Sequence, residues 1–208
     1  YSVGLSHYFQ NSFKALTGAN KSISGVISYQ TGDQDFTAQL AYAQGKNPDL
    51  IFIPAASYGE AALIIKQASE LGIESQFLGG DTCEVPEFLQ VGGAAVEGSY
   101  FSTHFDVAVA PTPKAAEFIE AFKAKYGVEP SAFSALGYDA FMLAVDAIIR
   151  ANSAVPEDIK NALSATVNFE GVTGYITIDE NGDAVKDAIV RKVEDGVFKF
   201  VSVVKPVQ

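Results

Sequence analysis

Residues 50–80, LIFIPAASYGEAALIIKQASELGIESQFLGG, decide the fold of this chain. The run 50–53 is continuously apolar, as in a parallel strand that is covered on both faces. The spacing of apolar residues predicts a helix over 59–71, which ends at Gly72, and a second short strand over 76–78. A strand, a helix and a strand in this order form a βαβ crossover, so the stretch predicts an α/β fold with a parallel sheet.

The same alternation continues on both sides of this stretch. It predicts helices over 2–16, 36–43 and 85–91, and strands over 23–29 and 98–105. Ser2 is the predicted N-cap of the first helix. The sheet is expected to be doubly wound, with ligands bound near the carboxyl ends of its strands. Because the first predicted element is a helix, we expect its partner strand to precede Tyr1 in a longer protein.

The pattern changes after residue 105. Two prolines in 106–113 indicate a linker, and three helices are predicted over 114–126, 133–151 and 156–165. The last stretch has a period of two, with strands over 175–178, 188–193 and 198–203 separated by Asn-Gly and Asp-Gly turns. This pattern predicts a meander of β-hairpins.

Composition excludes several classes of function. The chain has 14 Lys plus Arg against 25 Asp plus Glu, and its net charge of −11 disfavours nucleic-acid binding. No run of 18 uninterrupted apolar residues occurs, so no membrane insertion is predicted. Cys83 is the only cysteine, so an internal disulfide is impossible. With one cysteine and two histidines, no metal site is predicted. Neither a dinucleotide fingerprint nor a Walker A motif is present, so no cofactor is predicted.

The most enzyme-like feature is Ala55-Ala56-Ser57-Tyr58-Gly59, which follows a strand and precedes a helix as a nucleophile elbow does. Asp81 and His104 follow in the order of an α/β-hydrolase triad. These residues lie about 24 positions apart on successive βα units, whereas that fold needs further strands before its histidine. We therefore predict that the chain is not an enzyme, with a serine hydrolase that uses Ser57 as the less favoured alternative.

Asp81 follows a predicted strand and two glycines, where the backbone can approach a ligand closely. Its carboxylate would pair there with a ligand cation. The same position suits an N-cap for the next helix, and local features leave both roles open.

Seven short motifs carry a family resemblance that covers essentially the whole chain. They are YSVGL at 1–5, TGDQDF at 31–36, NPD at 47–49, GEAA at 59–62, LGGD at 78–81, GYDA at 137–140 and FEGVTG at 169–174. In their order and separations they resemble the type I periplasmic substrate-binding proteins of ABC transporters, in the class that binds Leu, Ile and Val.

The resemblance implies two α/β lobes that are joined by three hinge crossings and close over a ligand. Residues 1–104 and 175–208 would form the second lobe without its first strand, and residues 105–174 the remaining part of the first lobe. The implied function is capture of a branched-chain or similar amino acid for import. The implied partners are that amino acid and a membrane permease. The implied location is the periplasm, or the cell exterior on a lipid anchor, with the signal segment outside this chain.

The resemblance also implies a ligand site. Asp81 matches the acidic residue that takes the ligand's α-ammonium group, and Tyr1 matches an aromatic residue at the cleft mouth. Ser57 and Tyr58 match a pair that follows a second-lobe strand, and Phe133 matches an aromatic wall from the first lobe. The groups that hold the α-carboxylate would lie before Tyr1. A ligand-sensing receptor domain of the same fold is the alternative function, and the identity of the ligand stays open.

Overall fold

The computed structural model describes residues 1–18 and 23–206 of the chain. The helices are α1 (Ser2–Thr17), α2 (Thr37–Lys46), α3 (Tyr58–Glu70), α4 (Pro86–Gly92), α5 (Pro113–Tyr126), α6 (Ala132–Ala151) and α7 (Pro156–Ser164). The strands are β1 (Leu50–Ile53), β2 (Gln76–Gly79), β3 (Tyr100–Thr103), β4 (Phe169–Glu170), β5 (Tyr175–Ile178), β6 (Ala184–Val185), β7 (Ala188–Glu194) and β8 (Val197–Val204).

The chain divides into two compact units. The first unit consists of Tyr1–Ser102 and Arg191–Lys199, and the second consists of Thr103–Val190 and the segment that begins at Phe200. The chain therefore passes between the units three times.

The first unit is built on parallel strands. β1 pairs with β2, and β2 pairs with β3, with Ile51 opposite Phe77 and Leu78 opposite Tyr100. β7 continues the sheet beside β3 and is followed by β8. The predicted α/β class and its parallel sheet are confirmed.

Helix α3 covers this sheet through an apolar face that includes Ala61, Ala62, Ile64, Ile65 and Ala68, all of which are buried. The helix begins where the Ser57 hydroxyl accepts the Glu60 N–H, and it is followed by Gly72, whose φ of 71° lies in the left-handed region that favours glycine. The aromatic centre of the same core consists of Phe36, Phe88 and Phe101.

The second unit contains helices α5 to α7 and an antiparallel sheet of β4, β5 and β6. Phe105, Phe118 and Val172 are the large side chains of its core. The Thr112 hydroxyl caps α5 by accepting the Ala115 N–H, and Gly127 ends that helix in the left-handed region.

Three sequence predictions about these elements are wrong. Residues 23–29 form no strand in the described chain, and Val26 and Ile27 are exposed. An apolar extended segment becomes a strand only when a neighbour pairs with it, and β1 is an edge of its sheet. The predicted meander is split, because β5 and β6 belong to one sheet and β7 and β8 to another.

The third error concerns the start of α1. Tyr1, not Ser2, is the N-cap, and it makes no capping bond through its side chain. Ser2 already lies within the first helical turn, where the carbonyl of Tyr1 accepts the Leu5 N–H.

Helix α6 is long and apolar enough to qualify as a membrane span by length and composition, although it contains no uninterrupted apolar run of 18 residues. Core helices of globular proteins meet the same test. The carboxylate of Asp139 on this helix is buried and accepts hydrogen bonds from the loop before β5. These bonds attach α6 to the loop before β5.

Candidate functional site

The carboxyl end of β2 forms a tight turn that carries Asp81. Asp81–Cys83 is a single 3-10 turn in which the Asp81 carbonyl accepts the Glu84 N–H at 3.0 Å. The Thr82 hydroxyl donates to the carbonyl of Ala55 at 3.0 Å, which ties the turn to the segment after β1. Adjacent parallel strands thus end together, where ligands bind in folds of this class.

Asp81 is not an N-cap. Gly80 precedes the short turn as its cap residue, and Val85 is the cap residue of α4. Of the two roles that the sequence left open for Asp81, capping is therefore the wrong one.

Tyr1 and Asp81 are brought together by the structure. The phenol oxygen of Tyr1 donates to Oδ1 of Asp81 at 2.5 Å. A β-carbon at Gly80 would collide with that phenol oxygen, so the glycine is what allows the ring to lie against the end of β2. Tyr1 is 58% exposed. Its partial burial raises its pKa, and the bond to the Asp81 carboxylate raises the pKa further.

Ser57 and Tyr58 stand at the start of α3. The Ser57 hydroxyl accepts the Glu60 N–H at 3.2 Å and so caps the helix. This bond accounts for the serine of the elbow-like motif without catalysis. Tyr58 is the first residue of the helix, and its side chain is 38% exposed.

Phe133 belongs to the second unit. It lies in the first turn of α6, directly after the cap residue Ser131 and Ala132, and it is 50% exposed. Its predicted approach to Asp81 concerns two separate units and stays a prediction.

Two polar residues of α3 fasten the segment before α2, a role that the sequence analysis missed. The buried Glu60 accepts the Gly32 N–H at 2.8 Å and the phenol of Tyr29 at 3.0 Å. Gln67 accepts the Phe36 N–H at 2.8 Å and donates to the carbonyl of Gln34, also at 2.8 Å. Their spacing of seven residues on an otherwise apolar helix face was the available signal.

Asp139 organises the second unit in the same way. Its Oδ1 accepts the Val172 N–H at 2.6 Å, and its Oδ2 accepts the N–H and the hydroxyl of Thr173 at 2.8 and 2.7 Å. A β-carbon at Gly171 would come within 2.6 Å of this carboxylate. The motifs GYDA and FEGVTG therefore contact each other.

Lys186 lies beside this cluster in the second unit. Its ammonium group donates to the carbonyl of His104 at 3.0 Å and to that of Thr173 at 3.4 Å. Burial lowers the pKa of Lys186 to about 8, against the opposing attraction of Asp139 and Asp187.

A polar depression of about 410 Å³ occurs elsewhere in the first unit. Asn47, Pro48 and Asp49, before β1, and Glu74 and Ser75, before β2, are among its lining residues. It lies at the amino ends of these strands, opposite the Asp81 turn, and the Ser75 hydroxyl bonds to the carbonyl of Pro48. Within 1–18 and 23–206, no group of three or more His, Cys, Asp or Glu side chains is placed to hold a metal ion.

Comparison with known proteins gives consistent results. The family model described as periplasmic binding protein matches residues 1–197. The Leu/Ile/Val-binding protein homolog 2 of Brucella abortus is 28% identical over 204 residues, which are 96% of this chain and 53% of that protein. A Pseudomonas aeruginosa protein named for binding leucine, isoleucine, valine, threonine and alanine is 28% identical over 170 residues, which are 82% of this chain and 44% of that protein.

Solved structures agree. A leucine-binding protein of Thermotoga maritima is 45% identical, with a TM-score of 0.88 over 99% of this chain and 57% of that one. A branched-chain amino-acid transporter substrate-binding protein of Streptococcus pneumoniae, solved with isoleucine, is 37% identical, with a TM-score of 0.73 over 86% of this chain and 51% of that one. The chain spans about half the length of the curated relatives it matches. With the model matched over nearly its whole length, the chain belongs to the periplasmic binding protein family.

Proposed function

We propose that this chain is part of a solute-binding protein of an ABC import system and that it captures a branched-chain or similar amino acid outside the cytoplasm. The observation that carries the proposal is the Tyr1–Asp81 pair at the carboxyl end of β2. An ionised carboxylate has about four acceptor sites, so Asp81 can accept the Tyr1 phenol and an ammonium group together.

In this proposal Asp81 binds the α-ammonium group of the ligand. A zwitterion that leaves water loses several kcal/mol of solvation for each charge unless each is paired. The proposed ligand contacts also include Tyr1, Ser57, Tyr58 and Phe133, as the family resemblance implies. In the proposal, the groups that pair with the ligand's carboxylate correspond to the part of the longer relatives that this chain does not match.

The proposal keeps the lobes that the sequence predicted, with 1–104 and 175–208 in the second lobe and 105–174 in the first. The compact units divide the chain at other residues, because 175–190 belong to the second unit together with 105–174. Ligand contacts to both lobes would favour a closed state over an open one, because a ligand shifts such an equilibrium only by binding one state better. A membrane permease is the proposed partner that receives the closed, loaded form. The proposed location is the periplasm or a lipid-anchored position outside the cell.

The test is calorimetric titration of L-leucine into a hybrid of this chain and the part of the Thermotoga maritima protein that it does not match. Asp81→Ala should weaken binding by roughly 10² to 10³, since removing one member of a buried charge pair costs about 3–5 kcal/mol. Glu74→Ala is the matched control, because it removes an exposed carboxylate just before the amino end of β2. An unchanged dissociation constant in Asp81→Ala would refute the proposed role of this residue.

A further inference from the structure

An ion pair joins the Asp81 turn to the strand that returns to the first unit. Oε1 of Glu84, the residue after the turn, lies 3.0 Å from Nη1 of Arg191. The two side chains are only 5% and 18% exposed. Arg191 is on β7 and is the first residue of the segment that re-enters this unit.

Both partners are fixed at their other ends. The Glu84 N–H donates to the carbonyl of Asp81, so Glu84 closes the turn that Asp81 opens. Nη2 of Arg191 donates to the carbonyl of Phe198 at 3.0 Å, and the guanidinium lies 5.5 Å from the centre of the Phe198 ring. That ring packs edge-on against Phe101 of β3, at 5.1 Å between centroids.

The pair is poorly explained as a contribution to stability alone. Desolvating two charges costs several kcal/mol each, and well-packed apolar residues in their place are often as stabilising or more so. A planar guanidinium that is held on two sides does, however, fix the direction of its carboxylate partner. Such a pair fixes the positions of its side chains, and here it fixes Glu84, whose N–H closes the Asp81 turn.

We propose that Glu84 and Arg191 are positioning residues, which hold the Asp81 turn so that its carboxylate faces the Tyr1 phenol and the ligand's ammonium group. The ligand part of this inference rests on the proposed function, whereas the effect on Tyr1 does not. Without the pair, the turn keeps its own backbone bonds and the bond from the Thr82 hydroxyl, and Asp81 samples other orientations.

The experiment detects a displacement of the Asp81 carboxylate as a change in the ionisation of the Tyr1 phenol, which donates to it. Tyrosine labelled with 13C at Cζ is followed by NMR up to pH 10.5 in the 208-residue chain, and Tyr1→Phe identifies the signal. Tyrosines with an ordinary pKa of about 10 ionise largely by that pH, whereas Tyr1 stays protonated beside Asp81. In Glu84→Gln, the pKa of Tyr1 should fall, so that Tyr1 is more ionised at pH 10.5 than in the native chain, although burial still holds its pKa above that of the ordinary tyrosines. In the hybrid protein the same change should weaken L-leucine binding roughly tenfold or more, which corresponds to about 1.4 kcal/mol.

Three further variants make the result decisive. Glu97→Gln is the control, because the Glu97 carboxylate binds the backbone of Asp195 and Gly196 in the same unit, away from the Asp81 turn, and it should leave Tyr1 and the affinity unchanged. Arg191→Lys keeps the charge and should give intermediate effects. The double variant Glu84→Met with Arg191→Met retains packing, so it answers the question if Glu84→Gln does not fold.

Unchanged Tyr1 ionisation in folded Glu84→Gln or in the double variant overturns the inference. Early ionisation of Tyr1 in these variants supports it. If Tyr1 responds while no form of the hybrid binds L-leucine, the positioning role stands and the proposed ligand is wrong.

Discussion

The two units bury their apolar residues to different extents. The core of the first unit runs from Phe36 through Phe101 to Val193 and takes side chains from helices and strands alike. The core of the second is smaller, and its longest helix, α6, leaves Phe141 66% and Ile149 72% exposed. The first unit therefore depends on apolar packing, whereas the second depends to a greater degree on the hydrogen bonds of Asp139.

Phe101→Ala should cause the largest loss of unfolding free energy, and the loss should fall on the first unit. The ring is fully buried and packs on Phe198, so its removal leaves a cavity and should cost about 3–5 kcal/mol. Urea unfolding followed by NMR signals from each unit measures the loss. Tyr8→Ala is the control, since this exposed aromatic residue of α1 should change stability by less than about 0.5 kcal/mol. A cost below about 1 kcal/mol for Phe101→Ala would contradict the packing account.

Asp139→Ala should affect the second unit almost as strongly. It leaves two backbone N–H groups and one hydroxyl without their acceptor, and a loss of about 3 kcal/mol or more is expected because each buried donor left without an acceptor costs about 1–3 kcal/mol. The same urea experiment applies. Asp146→Ala on the same helix removes only a partly exposed pair with Arg150 and should cost less than about 1 kcal/mol. Equal losses of unfolding free energy in Asp139→Ala and Asp146→Ala would contradict a larger contribution of the Asp139 hydrogen bonds to stability.

The stability of the second unit should depend on pH through Lys186. The folded pKa of Lys186 is about 8, below its ordinary value of 10.5, so the unfolded chain binds more protons between these values. Stability should therefore rise with pH in this window, by about 1–2 kcal/mol from pH 8 to 9.5. Urea unfolding at several pH values should show this rise in the native chain and its loss in Lys186→Met. A parallel pH dependence of the two proteins would exclude Lys186 as its source.

The elements themselves were largely predictable from sequence, because the signals that form them are local. The apolar run at β1, the apolar spacing of α3 and the glycine at residue 72 lie within one short stretch, and the structure has all three. The strand expected over 23–29 and the hairpin meander failed because strand pairing depends on neighbours that are distant in sequence. A period of two indicates a strand and does not say which strand lies beside it.

The pairing of Tyr1 with Asp81 was within reach of the sequence, whereas the role of these residues in binding a ligand stays a prediction. Asp81 stood out because it follows a strand and two glycines, and the motifs linked it to Tyr1, which the structure places in contact with it. Glu84 did not stand out, because its partner Arg191 lies 107 residues away. Asp139 could have been singled out as a carboxylate in an apolar helix, but its partners could not have been named.

Substitutions on the exposed face of α6 should change the stability of the chain least. Phe141→Ser with Ile149→Ser should change the stability of this chain by less than about 0.5 kcal/mol, since neither side chain is buried in the second unit. The double variant should self-associate less in analytical ultracentrifugation, because large exposed apolar patches promote association.

The same substitutions become a sharper test in the hybrid protein. If the additional length of the relatives covers this face, each residue there is part of a core, and the double variant should cost the hybrid about 2 kcal/mol or more. Phe101→Ala should cost the same stability in the chain and in the hybrid, and so should Tyr8→Ala, because both residues belong to the first unit. If the double variant changes the stability of the hybrid as little as that of the chain, burial of this face in the hybrid is contradicted. The exposed face of α6 would then be a property of the second unit itself.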